Sequence, residues 1–118
     1  MLVLAESDVA ALLPMRDVIA AVEDALRAQA EDRIVQPVRS VVRNPSGWFG
    51  SMPCSIDTAG LGAKLVTFFP DNAKLGLHTH YAVIEMFDPK TGMPAALLDG
   101  RLITAMRTAA TSAVATRL

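Results

Sequence analysis

Cysteine, aromatic residues and excess charge are all scarce in this sequence. Cys54 is its single cysteine, which excludes an internal disulfide and a cysteine-based metal site. Aromatic residues make up only 5 %, and eleven basic residues against twelve acidic ones give a formal charge of −1. These values argue against a nucleic-acid partner, because nucleic-acid binders present basic and often aromatic surfaces.

Long apolar runs and a basic leader are absent as well. No run approaches the roughly eighteen apolar residues of a membrane span, and the first residues include Glu6 and Asp8 without a positively charged start. We therefore expect a cytoplasmic protein with no membrane partner. What the sequence does contain is 52 % apolar residues in a chain of 118, enough for one domain with a packed core.

The pattern along the chain predicts helices at both ends and strands between them. Ser7 and Asp8 are N-cap candidates for a short helix over residues 9–13, and helical spacing of apolar positions predicts a second helix from 15 to about 33. A closing helix is expected over 101–117. Strands are predicted over 38–42, 48–55, 61–69, 81–87 and 94–98. The predicted fold class is α+β, with a mostly antiparallel sheet of four or five strands.

Lys64 is the first residue whose charge conflicts with the pattern around it. It is in phase with Val66 and Phe68 on one face of its strand, while Ala63 and Leu65 point to the other face. Both faces are mostly apolar, so Lys64 has no evident solvent-facing side. A buried lysine must find an anion or lose its proton.

Two arginines are the other candidates for an anion site. Arg39 lies on a short strand, and Arg107 projects into the apolar stripe of the closing helix that includes Ala110 and Val114. If these cations converge with Lys64, they form a clamp for a carboxylate. The alternative is that each reaches water or pairs with a structural acid such as Glu85 or Asp88.

The remaining chemistry-bearing residues give weaker signals. His78 and His80 alternate along the chain but have no evident third ligand, so no metal site is predicted. Ser51 and Ser55 have no convincing base and orienting acid, which disfavours a hydrolase. Met52, beside a strand glycine, is a candidate for lining a pocket.

Four segments resemble the ornithine cyclodeaminase/mu-crystallin family, in the family's order and with similar intervals. They are QPVR at 36–39, GSMP at 50–53, AKLVTFFP at 63–70 and LLDGRLITAMRTAA at 97–110. The resemblance implies that residues 1–118 are the N-terminal substrate-binding and dimerisation domain. It also implies a truncated member, because the family's Rossmann domain, its glycine-rich fingerprint and its catalytic aspartate would lie beyond this sequence.

The activity that the resemblance implies is an NAD(P)-dependent reaction of an amino or imino acid in a homodimer. The first expectation is an ornithine cyclodeaminase, which converts L-ornithine to L-proline and ammonia through hydride transfer at Cα. The alternatives are a ketimine or pyrroline-carboxylate reductase, an alanine dehydrogenase, a non-catalytic mu-crystallin-like binding protein, or a structural dimerisation module. The 118-residue chain alone is expected to be inactive.

The resemblance also implies roles for individual residues. Lys64 corresponds to the catalytic position. The positions that hold the substrate are Arg39, Met52, Lys64 and Arg107. The positions near the cofactor, NAD or NADP, are Thr79, His80, Arg107 and Thr108.

Overall fold

The computed structural model describes residues 1–57 and 60–117 of the chain. Its elements are, in chain order, β1 (Leu2–Leu4), α1 (Glu6–Leu12), α2 (Met15–Ala30), β2 (Ile34–Val35), β3 (Ser40–Asn44), β4 (Gly47–Ile56), β5 (Gly60–Phe68), a 3-10 helix (Pro70–Leu75), β6 (His80–Phe87), β7 (Pro94–Asp99) and α3 (Arg101–Thr116). None of the helices in the described ranges is both long enough and apolar enough to cross a membrane.

The described strands form one seven-stranded mixed sheet. Its order is β1-β7-β6-β5-β4-β2. β2 pairs with residues 55–56 of β4, and β3 pairs with residues 47–51 along the same edge of β4. β1 runs parallel to β7, with Leu2 opposite Ala96, while the other pairs are antiparallel. The prediction of four or five mostly antiparallel strands is therefore wrong in number and misses the parallel pair. β1 and β2 are too short to show alternation, and only pairing with distant strands defines them.

The two helices in the N-terminal part of the chain have other boundaries than predicted. α1 begins at Glu6 with Ala5 as its N-cap, so Asp8 lies inside the first turn rather than before it. From there its carboxylate accepts a hydrogen bond from the Ala5 backbone N–H at 2.9 Å, which satisfies an N-terminal donor from within the helix. α2 ends at Ala30, and the chain leaves it through Asp32 at a φ of 56°.

The two faces of the sheet have different surroundings. The helix face carries Lys64 and Val66, and α3 lies over it along β6, with α2 packed on α3. The buried apolar core lies there, formed by Val9, Val18, Ala28, Val66, Ala82, Ala110 and Val114. The open face carries the alternate residues, of which several large ones stay exposed: Val42, Phe49, Leu61, Tyr81 and Val83. The fold therefore buries one face of the sheet and leaves an apolar surface on the other.

Gly100 joins β7 to α3 at the closest approach between the helix and the sheet. Its N–H donates to the Ala82 carbonyl at 2.7 Å, and a Cβ at Gly100 would lie 3.0 Å from the Ala82 Cβ and 3.1 Å from its carbonyl carbon. We expect Gly100→Ala to lower the free energy of unfolding by about 1–3 kcal/mol through overpacking. Urea unfolding measures this effect. In the double variant, the added Ala82→Gly change should restore part of the lost stability. If the destabilisation of the double variant equals the sum of the two single destabilisations, the proposed contact between residues 100 and 82 is contradicted.

Candidate functional site

Lys64, Arg39 and Arg107 form a cluster of positive charge on the helix face, called here the cation cluster. Lys64 lies in the middle of β5 and is half-buried, Arg39 precedes β3, and Arg107 is on α3. Burial lowers the pKa of Lys64 below its ordinary value, and the charges of Arg107 and then Arg39 lower it further. Three separate parts of the chain thus contribute positive charge near Lys64.

The two arginines of the cluster remain exposed. The helical projection placed Arg107 inside the buried stripe of α3, and this is wrong: Ala110 and Val114 are buried, whereas Arg107 is not. A long side chain at the margin of a packed helix face can reach solvent while its charge still acts on a neighbour. Arg39 and Arg107 are therefore exposed cations whose charges act on the half-buried Lys64.

No carboxylate balances this charge among residues 1–57 and 60–117. Glu85 lies opposite Ala63, on the open face, and Asp88 accepts hydrogen bonds from the backbone N–H groups of Lys90 and Thr91 at 2.8 and 2.9 Å. The ion pairs of the described residues involve other cations, including Arg33, Lys74 and Arg101. Among the described residues no ion pair joins the cluster to Glu85 or Asp88, whereas Arg39 and Arg107 reach water, which is the other branch of the predicted alternative. The cluster is suited to an anion from outside the chain.

An apolar cavity of about 280 Å³ lies beside Lys64 on the same face. The strand register explains its composition, because Met52 on β4 and Ile84 on β6 lie directly opposite Lys64. The other side chains that form its wall are Cys54, Ile56 and Met86, and Gly60 and Gly62 form its floor. Gln36 and Met52 border both this cavity and a neighbouring depression that includes Arg39.

A second, more polar pocket of about 360 Å³ lies between α3 and the segment that enters β6. We call it the hydroxyl pocket; its lining includes His78, Thr79, His80, Arg101, Thr104 and Thr108. The Thr108 hydroxyl donates to the Thr104 carbonyl at 2.8 Å, so its oxygen lone pairs stay available as acceptors. Burial, then the charges of Lys64 and Arg101, lower the pKa of His80. The lowered pKa favours the neutral form of its imidazole at pH 7.

Arg101 in this pocket is held by a pair that sequence analysis missed. Its Nε donates to Glu6 Oε2 at 2.9 Å and its Nη2 to Glu6 Oε1 at 2.6 Å. This contact with the Arg101 guanidinium lowers the pKa of Glu6 below its usual value. The bidentate pair joins α1 to the start of α3 across most of the chain, and no local sequence signal indicates such a distant partner.

The predicted site residues fall into two neighbouring groups. Met52 and Lys64 line the apolar cavity, Arg39 lines the adjoining depression, and the cofactor positions Thr79, His80 and Thr108 line the hydroxyl pocket. Arg107 lines neither pocket, but its charge lowers the pKa of Lys64. The described residues contain no group of three His, Cys, Asp or Glu side chains able to hold a metal.

The cavity wall is the part of the site that the sequence left unassigned. Cys54, Ile84 and Met86 occupy it because β4, β5 and β6 pair in one particular register. Alternation along each strand was visible in the sequence, but the register between strands was not.

The fold and the site together define a mixed α/β domain with a cluster of three cations, an apolar cavity and a hydroxyl-lined pocket. The chain belongs to the ornithine cyclodeaminase/mu-crystallin family, whose sequence model matches residues 1–118. The resemblance noted in the four sequence segments is therefore confirmed.

Named relatives and a solved structure agree with this membership. The chain is 43 % identical over 88 residues to ketimine reductase mu-crystallin from Mus musculus, covering 72 % of the chain and 28 % of the relative. It is 35 % identical over 120 residues to Delta(1)-pyrroline-2-carboxylate reductase from Bacillus cereus, covering 99 % and 37 %. The Thermococcus litoralis Delta(1)-pyrroline-2-carboxylate reductase in complex with NADH and L-proline is 40 % identical, with a TM-score of 0.94 over 98 % of the chain and 37 % of that protein. The matched part of the chain thus spans between 28 % and 37 % of the length of these relatives.

Proposed function

We propose that residues 1–118 form the substrate-binding domain of an NAD(P)-dependent reductase of 2-imino acids. The uncompensated cation cluster around Lys64 is the observation that carries this proposal. The names of the relatives support a reductase, since two are pyrroline-carboxylate reductases and one is a ketimine reductase. We therefore prefer the reductase to the cyclodeaminase that was the first expectation.

The cation cluster is proposed to bind the carboxylate of the imino acid. The Lys64 ammonium lies at the base, and the Arg39 and Arg107 guanidinium groups close over the carboxylate from the solvent side. Binding stabilises all three cations, which otherwise repel one another. A fixed carboxylate also orients the adjacent imine carbon, so that catalysis by Lys64 consists mainly of positioning and charge stabilisation.

The hydroxyl pocket is proposed to receive the reactive end of the cofactor. Its hydroxyl and imidazole groups fit the amide of a nicotinamide, because the Thr108 oxygen can accept from the amide N–H₂ and the lowered pKa of His80 favours an imidazole without charge beside the ring. Thr79 lies beside them. Nicotinamide, when bound, supplies the hydride that reduces C=N. We propose that residues 1–118 contact only the nicotinamide end of NAD or NADP and that these residues alone are inactive.

The open face of the sheet is proposed to bind a second copy of this domain. Its exposed apolar residues, Val42, Phe49, Leu61, Tyr81 and Val83, form a surface of the kind that marks a protein interface. A homodimer with a two-fold axis would bring two identical open faces together.

One assay tests the proposed activity directly. The full natural chain that contains these residues is incubated with NADH or NADPH and a cyclic 2-imino acid, and oxidation of the cofactor is followed by absorbance. We expect formation of the corresponding amino acid. Absence of reduction with either cofactor across cyclic and open-chain imino acids would overturn the proposal.

The lowered pKa of Lys64 predicts how binding of the carboxylate depends on pH. Below that pKa the lysine is charged and binds the anion; as pH rises through it, toward the ordinary value of 10.5, the lysine becomes neutral and affinity falls by about tenfold per pH unit. The inhibition constant of tetrahydrofuran-2-carboxylate measures this, because that ligand has no titratable nitrogen. Lys64→Arg stays charged and should remove the pH dependence. Unchanged inhibition by the wild type up to pH 10.5 would contradict the assignment.

A further inference from the structure

We infer that the ion pair between Glu6 and Arg101 sets how strongly the hydroxyl pocket prefers a reduced, uncharged nicotinamide to an oxidised, cationic one. Arg101 lines the pocket itself, whereas Glu6 acts through Arg101 and is therefore a positioning residue. The inference rests on the proposed function, which places the nicotinamide in this pocket. It adds a pair of residues that determines specificity for the redox state of the cofactor.

The ion pair fixes which edge of the Arg101 guanidinium is used by the protein. Glu6 accepts from Nε at 2.9 Å and from Nη2 at 2.6 Å, so both hydrogen bonds lie along one edge of the planar group. The two N–H groups of Nη1 are outside this pair. The side chains are 29 % exposed for Arg101 and 39 % for Glu6. A bidentate pair of this kind holds the arginine in one orientation and keeps its charge at the pocket wall.

Arg101 occupies a position that α3 itself disfavours for a cation. It is the first residue of this 16-residue helix, where the backbone N–H groups already create a positive end. Two acids offset that unfavourable placement, because Glu6 binds the guanidinium and Asp99 accepts from the Arg101 backbone N–H at 3.0 Å. The helix end and the guanidinium therefore add positive potential to the same end of the pocket.

Both members of the pair act electrostatically on side chains of the pocket wall. Burial lowers the pKa of His80, and the charges of Lys64 and Arg101 lower it further. The pKa of Glu6 is lowered mainly by the hydrogen bond from Arg101, and the charge of His78 contributes as well. His78 and His80 both line the pocket. A change in the charge of either Glu6 or Arg101 therefore changes the potential inside the pocket.

A nicotinamide ring is sensitive to this potential, because its charge depends on its redox state. The reduced ring is neutral, and the oxidised ring carries one positive charge. A cation at the wall therefore weakens binding of the oxidised form and leaves binding of the reduced form almost unchanged. Glu6 reduces this effect by placing a negative charge on one edge of the Arg101 guanidinium. A reductase with this preference releases its oxidised cofactor more readily than its reduced one.

The alternative is a purely structural pair, because the same contact joins α1 to the start of α3. The two roles predict different results for single variants. Glu6→Gln and Arg101→Gln disrupt the same two hydrogen bonds, so a structural role makes both change cofactor affinity in the same direction. An electrostatic role makes the changes opposite, because one variant removes a negative charge and the other removes a positive charge.

The first experiment measures the dissociation constants of the oxidised and reduced forms of NAD or NADP for the full natural chain, without substrate. We expect the ratio of the oxidised to the reduced constant to rise at least about threefold in Glu6→Gln and to fall at least about threefold in Arg101→Gln, as one partly screened unit charge would give. The double variant should lie between the two. Opposite shifts support the inference even if the wild type reduces no imino acid and the proposed function fails.

The matched controls are Asp57→Asn and Arg33→Gln. They remove the same two kinds of charge from a pair of 3.3 Å, where Arg33 precedes β2 and Asp57 follows β4. Both should keep the wild-type ratio, and shifts as large as those at the pocket would overturn the inference. Shifts of the same sign in Glu6→Gln and Arg101→Gln, or no shift in either, also overturn it. If the wild type still reduces imino acids, the proposed function survives that result.

A second measurement needs no cofactor. Proton NMR follows the titration of the His80 imidazole in the full natural chain, and loss of the signal in His80→Gln assigns it. The charges around this imidazole belong to Lys64, Arg101 and His78, with Glu6 on Arg101. We expect Glu6→Gln to lower the pKa of His80 further and Arg101→Gln to raise it. A pKa that moves in one direction in both variants, or in neither variant, contradicts the electrostatic role.

Discussion

Replacing Lys64 with methionine in the full natural chain is expected to lower kcat/KM for an imino acid about 100- to 1000-fold. The change removes the one half-buried cation of the cluster and keeps an unbranched side chain of similar length. Arg39 and Arg107 remain, but both are exposed and lie on the solvent side of the site. Without Lys64 the cluster loses the group that is proposed to hold the carboxylate next to the apolar cavity.

The control for this variant is Lys90→Met, because Lys90 is an exposed lysine in the turn after β6. It should retain normal turnover. Near-normal kcat/KM in Lys64→Met would show that Lys64 does not bind the substrate, and would remove the observation on which the proposed function rests.

A stability measurement separates loss of function from loss of fold in Lys64→Met. The folded state lowers the pKa of Lys64, so its charged form costs folding free energy at every pH below that lowered pKa, and the cost disappears as pH rises toward the ordinary value. Removing the lysine should therefore raise the free energy of unfolding at pH 7, by no more than about 1 kcal/mol because solvent screens a half-exposed charge. An inactive variant that is also less stable would indicate a structural role instead.

Replacing Val83 with lysine is expected to convert a homodimer into monomers. Val83 lies on the open face beside Leu65 and is 38 % exposed in the single chain, so the charged side chain can reach water in a monomer. In the proposed dimer it would be buried against its own symmetry-related surface, where two like charges and their lost hydration oppose association. We expect the dimer dissociation constant to rise at least 100-fold.

Sedimentation or light scattering of the full natural chain measures this change. Leu75→Lys serves as the matched control, because Leu75 is 73 % exposed in the 3-10 helix and is not part of the open face. A Val83→Lys protein that stays dimeric would place the interface elsewhere. A wild-type protein that is monomeric at micromolar concentration would overturn the dimer proposal itself.

The longest strands and helices were predictable because their signals are local. The apolar run at 61–69 corresponds to β5, the predicted strand at 81–87 to β6, and the Asp99-Gly100 pair marks the start of α3. Asp99 contributes directly, since its carboxylate accepts from the Arg101 backbone N–H at 3.0 Å. In contrast, β1 contains three residues and exists only through its pairing with β7.

The candidate site was predictable where a charge conflicted with its surroundings. Lys64 was conspicuous because both faces of its strand are apolar, and the structure places it half-buried, with the charges of Arg107 and Arg39 acting on it. Arg101 showed no comparable conflict, because its partner Glu6 lies at the other end of the chain. The resemblance to a family added Thr79, His80 and Thr108, which pattern analysis alone had not connected.

The sequence by itself determined the order and type of the main elements, the family, and the identity of the unusual cation on β5. These properties depend on periodicity, turn residues and motifs, which are encoded within short stretches of chain. Only the tertiary structure decided that Met52, Lys64 and Ile84 form one row across three strands and that Arg107 acts on Lys64 from α3. Strand register and helix docking result from packing between residues distant in sequence, so the apolar cavity became visible only in the folded chain.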